Sequence, residues 1–185
     1  SHDSPSAGYL IRKRVDPSAI PASSSGTYKK RQGVLYRLAE AYLSYAESLY
    51  EYSVAMGTYT DNETEILDYI NRVRYRAGIP QYGKGADQIP VTEAQLRDLI
   101  RRERRVELNC EAGIRFDDLR RWKEAETALN GKFYGMNALA KSTERDEYYK
   151  RTLYQTRRFI SYWWPIPQDD IDKNTNLRQL PGWWR

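Results

Sequence analysis

The sequence is poor in the two side chains that most often build catalytic and metal sites. It contains one cysteine and one histidine, Cys110 and His2. A single cysteine forms no disulfide within the chain, and one histidine argues against a zinc site, a Ser/His/Asp or Cys/His nucleophile, and the paired Glu-x-x-His motifs of a di-iron bundle. We therefore expect no cofactor, no metal and no catalytic residue of these kinds.

Long apolar runs are also missing. No stretch of the 185 residues approaches the roughly 18 apolar residues that a membrane-spanning helix needs. The first residues, SHDSPSAG, contain no basic segment, no apolar segment and no cysteine to carry a lipid, so they do not read as a secretory leader. The length is that of one domain and is sufficient to bury a hydrophobic core.

The chain is instead rich in charge of both signs and in aromatic side chains. Its net charge is +5, from 30 basic and 25 acidic residues that are interspersed, and it has 16 tyrosines and 5 tryptophans. A basic domain permits nucleic-acid binding, but here the acidic residues dilute the excess. Aromatic side chains at this density suit packed helices, sugar stacking and protein interfaces.

The first part of the chain divides into loops and two amphipathic helices. Residues 1–32 are rich in Pro, Gly and Ser and predict a loop-rich segment. Residues 33–56 carry apolar side chains at helical spacing, with Glu47 on the polar side, and a second helix is predicted from residue 63 or 64 to residue 77. The inward stripe of the first helix is Leu35, Leu38, Ala39, Tyr42, Tyr45, Ala46 and Leu49. The short connection predicts an antiparallel, tetratricopeptide-like pair, with the tyrosines in its core rather than as a stacking platform.

Residues 79–91 read as a turn-rich loop. The run Gly83-Lys84-Gly85 lacks a preceding strand and the spacing of a phosphate-binding loop.

The next segment is an arginine-rich helix. Thr92 followed by Gln95 is a capping box, which predicts that the helix begins here, and Gly113 is a natural end. Projection at about 100° per residue predicts an apolar stripe and places Leu108 on the opposite side. The stripe consists of Leu96, Leu99, Ile100, Val106 and Cys110.

The same projection turns Glu103 and Glu107 inward. Buried carboxylates need cations, and the chain that follows offers Arg115, Arg120 and Arg121. We predict a structural ion-pair network made by Glu103, Glu107, Arg115, Asp118 and Arg120.

Two other functions are open for this helix. Glu103 and Glu107 could form the carboxylate pair of a glycoside hydrolase, although nearby arginines would keep both ionised, contrary to what a general acid needs. Alternatively, the domain is a basic helical module that binds nucleic acid through Arg101, Arg102, Arg104 and Arg105.

The last third is less regular. Residues 115–129 predict a helix, residues 131–150 irregular structure, and residues 152–164 a partly extended segment. Trp163 and Trp164 are interpreted as fastening the C-terminal tail to the helices rather than as a platform on which a sugar stacks. One helical turn is expected over residues 168–173, after which the final LPGWW packs back.

Three motifs in this order resemble a known family. They are RRERRVEL followed by RFDDLRRW at residues 101–122, WPIPQ at 164–168, and NTNL before PGW at 174–183. Together they resemble the C-terminal signature of the SusD/RagB family, surface lipoproteins of Bacteroidota. The chain departs from the family's usual turn, where only Gly113 and Arg115 carry over, and no ligand-binding residue is transferred.

The resemblance implies a mainly α fold of tetratricopeptide-like helical hairpins with long irregular loops and an extended C-terminal tail. Residues 1–32 would be a lead-in and residues 33–185 the family's C-terminal helical domain, with the N-terminal half and its lipidated cysteine outside this sequence. It further implies a non-enzymatic protein on the outer-membrane surface. That protein would bind an oligosaccharide or a peptide, work with a SusC-like TonB-dependent transporter in nutrient uptake, and bind no nucleic acid.

Overall fold

The computed structural model describes residues 7–13, 15–18, 26, 33–111, 113–141 and 143–183. Its architecture is mainly helical, as predicted. The chain forms two compact units, residues 14–115 and residues 1–13 together with 116–185. The boundary after residue 32 stays a prediction, because residues 27–32 lie outside the described ranges. No helix in the described part of the chain is long and apolar enough to cross a membrane.

The unit of residues 14–115 is built on a helical hairpin and a third helix. The helices span Leu38–Met56 (α1), Tyr59–Arg76 (α2) and Glu93–Glu107 (α3). Gly57, at φ 69°, reverses the chain between α1 and α2 in a left-handed conformation that glycine adopts at little steric cost. The ring of Tyr42 contacts Tyr69 and the ring of Tyr50 contacts Tyr59, with centroids 5.5 and 6.1 Å apart. This order of contacts shows that α1 and α2 run antiparallel, as predicted.

Both helices of the hairpin begin at residues other than those predicted. Helix α1 begins at Leu38 instead of residue 33, and the preceding Leu35 is exposed, so a longer helix would bury nothing more there. Helix α2 begins at Tyr59, because Gly57 and Thr58 complete the turn and Tyr59 is buried from the first helical position.

The core of this unit lies between the three helices. It consists of Ala46, Tyr50, Tyr59, Ile66, Leu67, Ile70, Tyr82, Leu96 and Ile100. The predicted inward stripe of the first helix is wrong at Leu35, Leu38 and Tyr45, which are exposed. Glu47, expected on the polar face, is buried. The reason is that α1 meets α3 as well as α2, and Glu47 faces a buried arginine of α3.

Helix α3 begins as predicted and ends earlier. The side chain of Gln95 accepts a hydrogen bond from the backbone N–H of Thr92 at 3.1 Å, which completes the capping box. The helix stops at Glu107, so the projection fails beyond it: Leu108 is buried and Cys110, at φ 60°, is exposed. Val106 is 67% exposed, because the buried stripe runs through the paired residues Glu103 and Arg104 instead.

The unit that contains residues 116–185 has shorter elements. They are α4 (Ile114–Arg121), which starts in the other unit, α5 (Ala125–Ala128), β1 (Gly131–Gly135), α6 (Arg145–Tyr148), β2 (Thr152–Arg157) and α7 (Gln168–Lys173). The helix predicted over residues 115–129 is interrupted, because Lys123 takes φ 60° and breaks the helical backbone. Residues 131–150, which the sequence predicts to be irregular, contain β1. The extended segment predicted over residues 152–164 contains β2, which pairs with β1.

Strands β1 and β2 form an antiparallel ladder. Gly131 pairs with Arg157 and Gly135 with Thr152, and the register shifts at Phe133 and Tyr134. A Cβ on Gly135 would lie 2.5 Å from the carbonyl oxygen of Ala7, so glycine is needed where Ala7 packs against the end of the strand.

The tail folds back on itself, as predicted. The side-chain amide of Gln179 donates to the carbonyl of Ile166 and accepts from its N–H, both at 2.9 Å. The indole N–H of Trp183 donates to the carbonyl of Trp163 at 2.7 Å. Helix α7 is the expected helical turn, whereas Trp184 lies outside the described residues.

Candidate functional site

An ion pair between helices α2 and α3 is buried in the first unit. Arg74 and Glu103 are 6% and 7% exposed, and Nη1 of Arg74 donates to Oε1 of Glu103. The Tyr82 hydroxyl donates to the same carboxylate oxygen at 3.0 Å. Nε of Arg74 donates to the carbonyl of Pro80 at 2.7 Å, and the guanidinium lies 3.9 Å from the Tyr82 ring centroid. Arg74 therefore joins α2, α3 and the intervening loop through one charged group.

The Tyr82 phenol is suited to this role because it stays neutral. Burial, and then the charge of Glu103, raise the pKa of Tyr82 above its ordinary value. Its O–H therefore remains a hydrogen-bond donor to the carboxylate throughout the physiological pH range.

A second ion-pair cluster lies at the end of α3. Arg37, before α1, donates through Nε to both carboxylate oxygens of Glu111 at 3.0 and 2.9 Å, and through Nη2 to the Glu107 carbonyl at 2.6 Å. Nη1 of Arg37 and Nη2 of Arg76 both donate to Oε1 of Glu107. The bond with Glu111 is the main cause that raises the pKa of Arg37. The two cations stabilise the carboxylates where the helix dipole would disfavour negative charge.

A third pair links α1 and α3. Nε of Arg104 lies 3.5 Å from the carboxylate of Glu47, and Nη1 donates to the Ser44 hydroxyl at 2.9 Å. Arg104 and Glu47 are both buried. This buried pair removes Arg104 from the basic face considered for nucleic acid.

The five residues of the predicted ion-pair network do not all have the partners that were predicted from the sequence. Glu103 and Glu107 carry ion pairs, and the cations bound to them include Arg37, Arg74 and Arg76. In the other unit, buried Asp118 accepts from Arg121 at 3.0 Å, while Arg120 donates to the Tyr162 carbonyl. The inclusion of Arg115, Asp118 and Arg120 in one network with the two glutamates stays a prediction.

Sequence reasoning missed Arg74, although a signal was present. Arg74 follows Ile70 at helical spacing and lies beside Val73, so it occupies the apolar stripe of α2. A charged residue on an apolar stripe requires a buried partner.

This arrangement disfavours acid–base catalysis by Glu103 and Glu107. One oxygen of each carboxylate already accepts two donors, and Glu103 is shielded from solvent. A glycosidase acid must be protonated and must reach the leaving-group oxygen, whereas these carboxylates serve as acceptors for guanidinium groups. Among the described residues, no group of acidic, histidine or cysteine side chains is arranged to hold a metal ion.

The tail aromatics are partly open to solvent. Trp163 and Trp164 are 63% and 65% exposed. The Trp164 ring lies 6.0 Å from Phe116 and 4.7 Å from the Arg120 guanidinium, so α4 holds it in place. These contacts agree with the interpretation that Trp164 fastens the tail, and Trp163 contributes its backbone carbonyl, which accepts from the Trp183 indole.

A cavity that the sequence did not indicate lies between α2 and the loop of residues 79–91. It has a volume of about 380 Å³. Its lining residues are Glu63, Thr64, Leu67, Asp68, Asn71, Gln81, Tyr82, Gly83, Lys84, Gln88 and Val91. They come from separated segments, so sequence spacing alone could not bring them together.

Comparison with known proteins gives a consistent result. The model of the SusD family matches residues 1–183. The structure of BT4246 is similar over 96% of this chain, with a TM-score of 0.75 and 34% sequence identity. A SusD-like carbohydrate-binding protein of Bacteroides fragilis, BF0978, is similar over 78% of this chain, with a TM-score of 0.56 and 35% identity.

A second Bacteroides fragilis protein, the SusD-like BF3747, is similar over 78% of this chain with a TM-score of 0.58 and 28% identity. The similar regions cover 30%, 28% and 25% of BT4246, BF0978 and BF3747, so this chain spans less than a third of their length. No curated protein matches the chain significantly.

Replacing Glu103 by alanine tests the buried ion pair. Arg74 would then be buried without its carboxylate, and we expect unfolding free energy to fall by about 3–5 kcal/mol. Urea unfolding measured by circular dichroism gives this value.

Asp68→Ala provides the matched control, because it breaks the half-exposed pair with Arg72 on α2. Its expected cost is at most about 1 kcal/mol. Equal stability of Glu103→Ala and the parent would contradict a structural role for this pair.

Proposed function

Since the chain belongs to the SusD family, we propose that it is part of a non-catalytic nutrient-binding protein that takes up glycans together with a SusC-like TonB-dependent transporter. The observation that carries this proposal is the family match over residues 1–183. The 35% identity to a protein described as SusD-like and carbohydrate-binding supports glycans as the cargo. Peptides are the alternative cargo within the same function.

The absence of catalysis is supported by the site itself. Glu103 and Glu107 accept from Arg74, Arg37 and Arg76, so their charges stabilise the fold. The glycoside hydrolase alternative needs one of these carboxylates as a proton donor, which their pairing with arginines disfavours.

Nucleic-acid binding is also disfavoured. Of the four arginines that could contact phosphates, Arg104 is buried against Glu47. The earlier Arg97 of the same helix pairs with Glu51 at 2.7 Å. Charges that are neutralised within the protein release no counterions from a nucleic acid.

We place the whole protein on the surface of the outer membrane, held there by a lipidated N-terminus that precedes this chain. This part of the proposal rests on family membership alone. Co-purification of a large β-barrel transporter with the full-length protein from detergent-solubilised outer membranes tests it, and recovery of the protein without any transporter would contradict it.

Native affinity electrophoresis of the 185-residue chain through gels that contain single soluble glycans tests the cargo. We expect at least one neutral glycan to retard the chain. The retardation should persist when salt is added, because salt screens interactions between charges and the glycan is uncharged. The glycan should be recovered without new reducing ends.

Two results would contradict this proposal. One is retardation only by nucleic acid, abolished by salt, and the other is glycan cleavage that is lost in Glu107→Gln. Glu107 is the better residue for this control, because it is less buried than Glu103.

A further inference from the structure

We propose that the cavity between helix α2 and the loop of residues 79–91 is a binding site for a neutral sugar ring. This inference rests on the proposed carbohydrate-binding function and deepens it by naming a site and a ligand class. The cavity lies entirely within the unit of residues 14–115.

One wall of the cavity is a face of α2. Glu63, Thr64, Leu67, Asp68 and Asn71 line it and recur at helical spacing. Leu67 is part of the buried core, so this wall has an apolar base with polar side chains around it. Such a mixture suits a sugar, whose ring has apolar C–H groups and a rim of hydroxyls.

The opposite wall is held in position before any ligand binds. The Asn71 side chain donates to the carbonyl of Tyr82 and accepts from its N–H, both at 2.7 Å. Ile89 N–H donates to the Gln81 carbonyl at 2.8 Å, and Gly83 N–H donates to the Ile89 carbonyl at 3.0 Å. A preformed wall reduces the entropy that binding would otherwise cost.

Gly83 shows how closely this wall is packed. Its φ is +155°, and a Cβ there would lie 2.1 Å from Oε1 of Gln88. The same oxygen accepts from the N–H of Gly85 at 2.9 Å, so the loop closes around the Gln88 side chain. This leaves the amide NH₂ of Gln88 as a donor at the cavity.

The cavity carries hydrogen-bonding groups that the protein does not use. Within the described residues, the Thr64 hydroxyl and the side-chain amide of Gln81 have no hydrogen-bond partner. Arg72 binds Asp68 through Oδ2 at 2.9 and 2.8 Å, and Oδ1 remains as an acceptor. Donors and acceptors are therefore both present, as recognition of hydroxyl groups requires.

The charges around the cavity balance. Lys84 pairs with Glu63 across the cavity at 2.7 Å, and Arg72 pairs with Asp68 at 2.8 Å. Two anions are thus matched by two cations, and neither an acidic nor a basic ligand gains from the local charge. This balance favours a neutral sugar over a uronic acid.

The dimensions indicate a short ligand. The volume of about 380 Å³ is near the lower end of the range of roughly 300–1,000 Å³ for small-molecule pockets. The Tyr82 ring is buried against the Arg74 guanidinium and offers no open face for stacking. The site therefore depends on hydrogen bonds and suits one or two sugar rings.

Saturation-transfer NMR and titration of the 185-residue chain with methyl glucoside, methyl galactoside and methyl N-acetylglucosaminide test the proposal. We expect at least one of them to bind, and methyl glucuronide to bind more weakly. Thr64→Val and Gln81→Leu each remove a group that bonds nothing inside the protein, and each should weaken binding about tenfold with an unchanged melting temperature.

The matched control is Thr60→Val, which changes an exposed threonine one turn earlier on α2 that does not line the cavity. Its affinity should equal that of the parent. Thr64→Phe is a second variant, which fills the cavity from an exposed position and should abolish binding without unfolding the chain.

Three results would overturn the proposal. They are equal affinity of the parent and the Thr64 and Gln81 variants, tighter binding of the glucuronide, and no binding of any neutral glycoside. Retardation by a longer glycan in the affinity gels, together with any of these results, would leave the proposed function standing and place its site elsewhere. Failure of both experiments would reject the proposed function as well.

Discussion

The buried charge of Arg74 is the constraint on which the first unit depends. A guanidinium that is shielded from water needs a carboxylate and further acceptors for its N–H groups. Glu103 and the Pro80 carbonyl supply these acceptors from two other segments of the chain. Tyr82 completes the arrangement, because its ring lies under the cation and its hydroxyl binds the same carboxylate. The helix, the loop and α3 are thus held together by a group that none of them could bury alone.

The position of the loop follows from this pairing and determines the proposed site. Tyr82 is fixed by Glu103 and by the Asn71 amide, and the residues after it line the cavity opposite α2. The other ion pairs, made by Glu107 and Arg104, connect α3 to α1, to α2 and to Arg37. The arginine-rich helix therefore uses much of its charge inside the protein.

Local features could be predicted from the sequence, whereas distant partners could not. The capping box at Thr92 and the end of the first helix at residue 56 are determined by adjacent residues, and both were predicted correctly. The partner of Glu103 was missed because the apolar stripe of α2 indicates that Arg74 is buried but does not indicate which carboxylate on another helix it meets. The pairing of β1 with β2 was missed for the same reason, since its register shifts and its strands are far apart in sequence.

A double-mutant cycle on Arg74 and Glu103 tests the central claim most directly. Arg74→Met and Glu103→Leu each leave one buried charge unpaired, while the double variant leaves none. The account predicts that urea unfolding will show the double variant to be more stable than the sum of the single changes allows, by about 1 kcal/mol or more. Additive losses would show that the two side chains act independently and would contradict the claim that this pair holds the helices and the loop together.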